Sequence, residues 1–275
     1  MVKIIRFIRS NTRQLIEVLI LIGAVIIPFV FNLPEVFKQY LETNSIAPDN
    51  AFWYIAISSG GYISSIICFL FVIYFIRKIN SEYMMNSSNA YYHDYYYIWY
   101  WFCSKILGIK KCNLILVPIY MQFKLVIRGT FDEYPLNDDE YIVLDGEADS
   151  KVMKTNLNAG TNEVNLILED SFAIADQQIP RLKRQLLTIR ISRNGGRCSG
   201  RHFSQIFIET IINELRNCKS INAINVFATT NPKNTIFIAK SAFASGGRGN
   251  IKHFLVYQQC ITGIRAFNKT GHKIY

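Results

Sequence analysis

The sequence predicts a membrane α-helical hairpin of two transmembrane helices followed by a cytoplasmic α/β domain built on a Rossmann-like parallel sheet. Three observations predict it. Two long apolar blocks lie in the first third of the chain, Lys and Arg are distributed unevenly around them, and strand-like runs alternate with helical ones from Glu163 onward.

The first block, 15–33, reads LIEVLILIGAVIIPFVFNL with Glu17 as its only charge. The second, 52–76, reads FWYIAISSGGYISSIICFLFVIYFI and carries no charge. A hydrocarbon core about 30 Å thick takes roughly 20 helical residues, so each block is long enough to span. Backbone groups in lipid must pair within their own segment, which selects helix for both. Pro28 predicts a kink in the first. A cleaved signal peptide would need a short apolar stretch and a small-residue cleavage motif, and the run after Leu21 offers none.

Orientation follows from the flanks. Lys3, Arg6, Arg9 and Arg13 precede the first helix, the connecting loop carries Glu35, Lys38, Glu42 and Asp49, and Arg77 and Lys78 follow the second helix at once. Lys and Arg stay on the cytoplasmic side, which puts both termini in the cytoplasm. Phe52, Trp53 and Tyr54 suit an interfacial belt at the outer surface. The second helix also holds Ser58, Ser59, Gly60, Gly61, Ser64 and Ser65, and small residues let helices approach closely in lipid. That face fits packing against the first helix of the same chain or assembly with other copies as a homo-oligomer.

Residues 80–111 form an aromatic juxtamembrane linker, and YYHDYYYIWYWF (91–102) reads as an interfacial or core segment, or as a platform for stacking bases. From 112 to 275 comes the globular domain. The runs 112–129 and 140–147 read as strands between turn residues. Strands follow at EVNLILEDS, at 186–192, at 223–232 and at 251–259, with helices at 204–217 and 234–245. This alternation implies a parallel sheet, whose ligands bind beyond the carboxyl ends of the strands. Those ends are Asp170-Ser171, Ser192-Arg193, Thr229-Thr230-Asn231 and Tyr257-Gln258.

The six cysteines show no CxxC pair and read as reduced thiols in a cytoplasmic domain. The four histidines are isolated, and no metal cluster, GxSxG elbow, phosphate-binding loop or dinucleotide fingerprint appears, so neither an enzyme nor a cofactor is expected. Charge separates sharply. Residues 132–170 hold eleven acids against Lys151 and Lys154, whereas 171–275 holds sixteen Lys and Arg against Asp176, Glu209 and Glu214. So basic a half suits an anionic ligand, with Arg193, Arg197 and Arg201 clustered between one strand and the next helix. It equally suits a solvated face drawn to anionic lipid headgroups.

The run from Arg201 to Gln259 resembles the C-terminal half of a SAVED domain. The likeness rests on a long helix, a strand ending in Phe227-Ala228 with Pro232 beyond it, a small-residue helix containing Ala239 and Ala242, and a strand ending at Tyr257. EVNLILEDSFAI resembles the family strand that runs into a serine. The match departs at Lys240-Ser241, where a glycine is common, and the stretch from Cys112 to Asn162 is short for a first CARF-like unit. The resemblance implies two fused CARF-like units that sense cyclic oligonucleotides in bacterial anti-phage signalling (CBASS). It implies binding of a cyclic di- or oligonucleotide, not a DNA or RNA duplex, followed by oligomerisation and disruption of the inner membrane. In that reading Arg193, Arg197 and Arg201 meet phosphates, Ser171, Thr229, Thr230 and Asn231 hydrogen-bond bases or ribose, and Tyr257 stacks on a base. A membrane-tethered nucleotide-degrading enzyme and a lipid-binding scaffold are the competing readings.

Overall fold

The computed structural model describes residues 2–43, 61–88, 91–136, 142–143, 150–157, 162–193, 202–217, 221–244, 251–260 and 262–275. The chain divides into two compact units, Met1–Tyr91 with Ile98–Lys111, and Tyr92–Tyr97 with Cys112–Tyr275.

The first unit contains α1 (Val2–Ser10), α2 (Thr12–Val30), α3 (Leu33–Thr43), α4 (Tyr62–Asn80) and nearly all of α5 (Tyr97–Lys105). Helices α2 and α4 are each 19 residues long and apolar enough to cross a membrane. At 1.5 Å per residue each spans about 28 Å. The buried positions of α2 are Gln14, Glu17, Leu21, Ala24 and Pro28, a single stripe at alternating spacings of three and four. Most other large apolar side chains on both helices are exposed, as lipid contact requires. α2 begins three residues before the expected block and takes in Arg13. α4 continues four residues past the expected end, to Asn80, and residues 52–60 of the second block lie outside the described residues.

Ser65 of α4 and the helix's N-cap, Gly61, face α2. Ser65 donates to the Val25 carbonyl at 2.8 Å, and a Cβ at Gly61 would stand 3.3 Å from the Phe29 ring. These contacts are the within-chain packing that the small-residue face allowed; Ser58, Ser59 and Gly60 lie outside the described residues. Lower in the hairpin, Arg13 donates to Glu17 at 3.0 Å and to the Asn80 side-chain oxygen at 2.9 Å. Asn80 in turn donates to Glu17 at 2.8 Å and to the Leu107 carbonyl at 3.0 Å. The aromatic segment thus packs with the hairpin from Ile98 on. Gly108 sits at φ +78°, and a Cβ there would meet Arg77 Cγ at 2.8 Å, so the turn needs glycine.

The second unit is a six-stranded sheet. In chain order its strands are β2 (Lys151–Thr155), β3 (Glu163–Glu169), β4 (Leu187–Ser192), β6 (Ala223–Ala228), β7 (His253–Tyr257) and β8 (His272–Lys273); two short strands, β1 (Ile142–Val143) and β5 (His202–Phe203), pair with each other separately. The spatial order is β8-β7-β6-β3-β4-β2. The inner four, β7-β6-β3-β4, are parallel, with Ile167 opposite Phe227 and Arg190, while β2 and β8 close the edges antiparallel. A strand buried on both faces reads as continuous apolar sequence, as Val164 to Leu168 nearly does. One face carries Ile167, Phe227 and Tyr257 against Ile174, Ile179 and Phe267. On the other, Phe254 meets Phe123 of α6 (Ile119–Ile127) and stacks 4.3 Å from Phe243. Phe243 lies in the π-helical turn Ala239–Ala244 that prolongs α8 (Pro232–Ile238); α7 (Gln205–Asn217) precedes β6.

The run 112–129 corrects the expected strands. Its centre is the helix α6, started by Pro118, because Met121, Phe123, Leu125 and Val126 are buried together around a turn rather than on alternate sides. Its aliphatic and β-branched composition favours a strand locally, and packing overrides that preference. The 140–147 run contributes β1, the rest of it lying outside the described residues, and the helix expected at 234–245 begins two residues earlier and widens to a π turn.

Candidate functional site

The carboxyl ends of β3, β4 and β6 converge, and alternation along β3 sends the last two acids to opposite faces. Glu169 points to the Ile167 side. There it pairs with Arg190, accepts from the Ser192 hydroxyl, and accepts from the Ile174 backbone N–H at 2.8 Å. Asp170 points to the other side and is fully buried.

Four groups converge on Asp170. Arg193 Nε donates to Oδ1 at 2.8 Å, and its Nη2 donates to the Asp170 carbonyl at 3.2 Å. On Oδ2 the Asn231 backbone N–H donates at 3.0 Å, the Asn231 amide at 2.8 Å and the Asn234 amide at 2.9 Å. Burial pushes the carboxyl's pKa upward, while the Asn231 and Asn234 donors and the Arg193 charge pull against that rise. An ion pair this dry holds only when its remaining lone pairs are satisfied, and here they are.

The same two asparagines reach further. Both amides donate to the His202 carbonyl, at 2.8 and 3.0 Å. The Asn234 side-chain oxygen accepts from Ser204 N–H at 3.3 Å, and Ser204 Oγ accepts from Phe207 N–H at the start of α7. Asn231 caps α8 by accepting from Asn234 N–H at 2.9 Å. Asp170 therefore ties together the ends of β3, β4 and β6, the start of β5 and the start of α8. Residues 194–201, which join Arg193 to His202, lie outside the described residues.

Five of the sequence-predicted site residues meet at this edge. Ser171 N–H donates to the Thr229 carbonyl at 3.1 Å, and Ser171 is half-buried. Thr229 Oγ1 donates to the Phe172 carbonyl at 2.6 Å and accepts weakly from the Phe172 N–H. Thr230 Oγ1 lies 2.7 Å from Thr235 Oγ1, buried, and Asn231 is committed to Asp170. Arg193 is 1 % exposed, so its guanidinium serves Asp170 and not a surface ligand; this corrects its expected contact with phosphate. Tyr257 is corrected likewise. Its ring is buried, stacked 4.4 Å from Phe227, with its hydroxyl 3.4 Å from the Asn225 side-chain oxygen. A Cβ at Gly271 would fall 2.7 Å from that ring, which leaves no room for a base. Arg197 and Arg201 lie outside the described residues.

Residues that sequence reasoning missed complete the edge. Phe172 is 59 % exposed directly after Ser171, with the Arg265 guanidinium 5.6 Å from its ring centre. Lys233 in the first turn of α8 lies over the Phe203 ring at 5.2 Å. The edge thus offers aromatic faces, hydroxyls and cations over a rigid, dry ion pair. Nothing in the order of residues singles out Phe172; it lies one place past the predicted strand end.

Comparison with known proteins adds a family. The model of the SMODS- and ubiquitin system-associated 2TM effector domain matches residues 2–275. No curated protein sequence matches the chain. Among solved structures, the Acinetobacter baumannii Cap4 SAVED/CARF-domain receptor with the cyclic trinucleotide 3'3'3'-cAAA is similar at a TM-score of 0.42 and 9 % identity. The same receptor with 2'3'3'-cAAA gives 0.41 and 9 %. Each match covers 63 % of this chain and only 40 % of the receptor chain.

Proposed function

Because this chain belongs to the SMODS- and ubiquitin system-associated 2TM effector family, we propose that its α/β domain senses a cyclic oligonucleotide and that α2 and α4 deliver the response in the inner membrane. Both termini face the cytoplasm in this reading, by the excess of Lys and Arg around Lys3–Arg13 and Arg77–Lys78. Ligand binding drives side-by-side assembly of copies, and the clustered helices then breach the bilayer.

The observation that carries the reading is the carboxyl edge of the sheet, where a fully desolvated Asp170–Arg193 pair fixes five structural elements beneath exposed polar and aromatic groups. Ligands of parallel sheets bind at such edges. Ser171 and Thr229 hydrogen-bond base or ribose, while Thr230 and Asn231 act beneath them as positioning residues. Phe172 takes the stacking role, since every base has a face that an aromatic ring can cover. Arg197 and Arg201 pair with phosphates through bidentate guanidinium contacts. No residue is asked to form or break a bond.

The test is thermal denaturation of the detergent-solubilised full chain against a panel of cyclic di- and trinucleotides. A ligand at 100 times its Kd stabilises the native state by about 2.7 kcal/mol, which a melting curve resolves. Stabilisation by at least one member, lost in Phe172→Ala but kept in Phe172→Tyr, is expected. Stabilisation by none, well above micromolar, ends the sensor reading. Turnover of a cyclic nucleotide that depends on Asp170 or His202 would favour the enzyme, and vesicle binding through the basic half with no nucleotide response would favour the scaffold.

A further inference from the structure

The N-terminal helix α1 has three sides with three different surroundings. Going round it at about 100° per residue, Phe7 comes first, then Ile4, Ile8 and Ile5, then Arg9 and Arg6. Phe7 turns toward the protein and meets the Trp99 ring edge-on at 5.2 Å. Ile4, Ile5 and Ile8 are 64 %, 52 % and 49 % exposed. Arg6 and Arg9 are exposed and form no ion pair among the described residues.

The junction with α2 is built. Asn11 leaves helical geometry at φ −122° and ψ 21°, and its side chain is buried. The Trp99 indole donates to its Oδ1 at 2.9 Å, and its amide donates to the Phe7 carbonyl at 3.0 Å. The clamp fixes which side of α1 faces Trp99, and so which side faces away.

Nine residues make a helix that is marginal in water by itself, so something it lies on must stabilise it. Three isoleucines on one side exclude plain solvation as that partner. The apolar side continues into the exposed Ile16, Leu19 and Ile20 of α2, a helix that crosses the bilayer. Two unpaired arginines flank it, and no acid occurs before Glu17. An amphipathic helix with isoleucines on one side and arginines on the next lies in the plane of an anionic interface.

We infer that α1 is an in-plane interfacial helix docked on the anionic lipid surface of the same membrane that α2 crosses. The inference rests on α2 being a span. It does not depend on nucleotide sensing. Its arginines favour anionic over zwitterionic headgroups by about fivefold each.

The test places an environment-sensitive fluorescent amino acid at position 5, 9 or 19 of the full chain in nanodiscs, with aqueous iodide and brominated lipids as quenchers. Position 19 is expected to be deep and dry, position 5 shallow and dry, and position 9 open to iodide. Protection at position 5 is expected to be greater in discs with phosphatidylglycerol than in phosphatidylcholine alone, and an Arg6→Gln, Arg9→Gln pair should remove that difference. Free iodide access at 5 with a dry 19 would overturn the inference while leaving the span intact. Deep bromine quenching at 5, equal to that at 19, would overturn it by making α1 part of the span. Protection at 5 that ignores lipid charge and follows the number of chains per disc would overturn it in favour of a second copy. A wet position 19 would overturn the span and the inference together.

Discussion

The two units each hold a buried acid fixed by an arginine and an asparagine, and they do so with opposite economy. In the hairpin, Glu17 is held by Arg13 and Asn80, and the Arg13 side chain keeps 39 % of its exposure. In the sheet domain, Asp170 is held by Arg193, Asn231 and Asn234, and the pair is 1 % and 0 % exposed. The first arginine can turn toward water if its partner is lost, with its guanidinium already 3.9 Å from the Tyr83 ring centre. The second has nowhere to go. One cluster staples two helices and a carbonyl near the end of a span. The other is a keystone on which several element ends depend.

The contrast sets the largest expected effect. Asp170→Ala leaves Arg193 charged and cut off from bulk solvent, and strands donors of Asn231 and Asn234. Breaking a buried pair from one side costs about 3–5 kcal/mol. Equilibrium denaturation of the full chain should show that loss together with loss of any nucleotide response. A loss under 1 kcal/mol would mean that the edge relaxes, and the keystone description would fall.

Glu17→Ala should cost less, about 1–3 kcal/mol, the range for one stranded buried partner. Asn80 loses an acceptor but keeps the Leu107 carbonyl. Denaturation in the same micelle gives the comparison directly. A larger loss than for Asp170→Ala would reverse the ranking and make the hairpin cluster the more critical of the two.

Legibility in the sequence divides along the same line. Glu17 and Arg13 are four residues apart on one helix, so their pairing follows from spacing. Both spans were legible because length and hydropathy decide them. The inner strands β3, β4, β6 and β7 were legible because fully buried strands are written as apolar runs. Asp170 and Arg193 stand 23 residues apart and meet only through the parallel register of β3 and β4, which no local pattern states. Sequence reasoning placed Arg193 at the correct strand end but at the wrong task, since a strand end does not reveal which face a side chain takes. Tyr257 failed for the same reason. α6 was hidden by aliphatic residues whose preference for strand is overruled by Phe254, and α1 was hidden because its cations read only as a topology signal.

His272 sharpens the comparison from the weak side, as a titratable group that is partly buried and forms no ion pair among the described residues. Its ring lies flat on Tyr120, centres 3.6 Å apart and planes 9° apart. Burial lowers its pKa below the usual 6.5, Lys124 adds to the lowering, and Asp94 opposes it. The folded protein therefore prefers the neutral imidazole, and the unfolded chain takes up a proton first as pH falls. The associated stability is complete above about pH 6.5 and declines as acid carries the solution down toward the folded pKa. Melting temperature measured from pH ~7 to ~5 should fall, and His272→Phe, which keeps a flat ring against Tyr120, should flatten part of that slope. The effect is expected to be the smallest of the three, because the ring is only partly buried and its remaining contact with solvent screens the charge. An unchanged slope in the variant would assign the pH response elsewhere and would leave burial with pairing, as at Asp170, as the arrangement by which this domain makes a charge count.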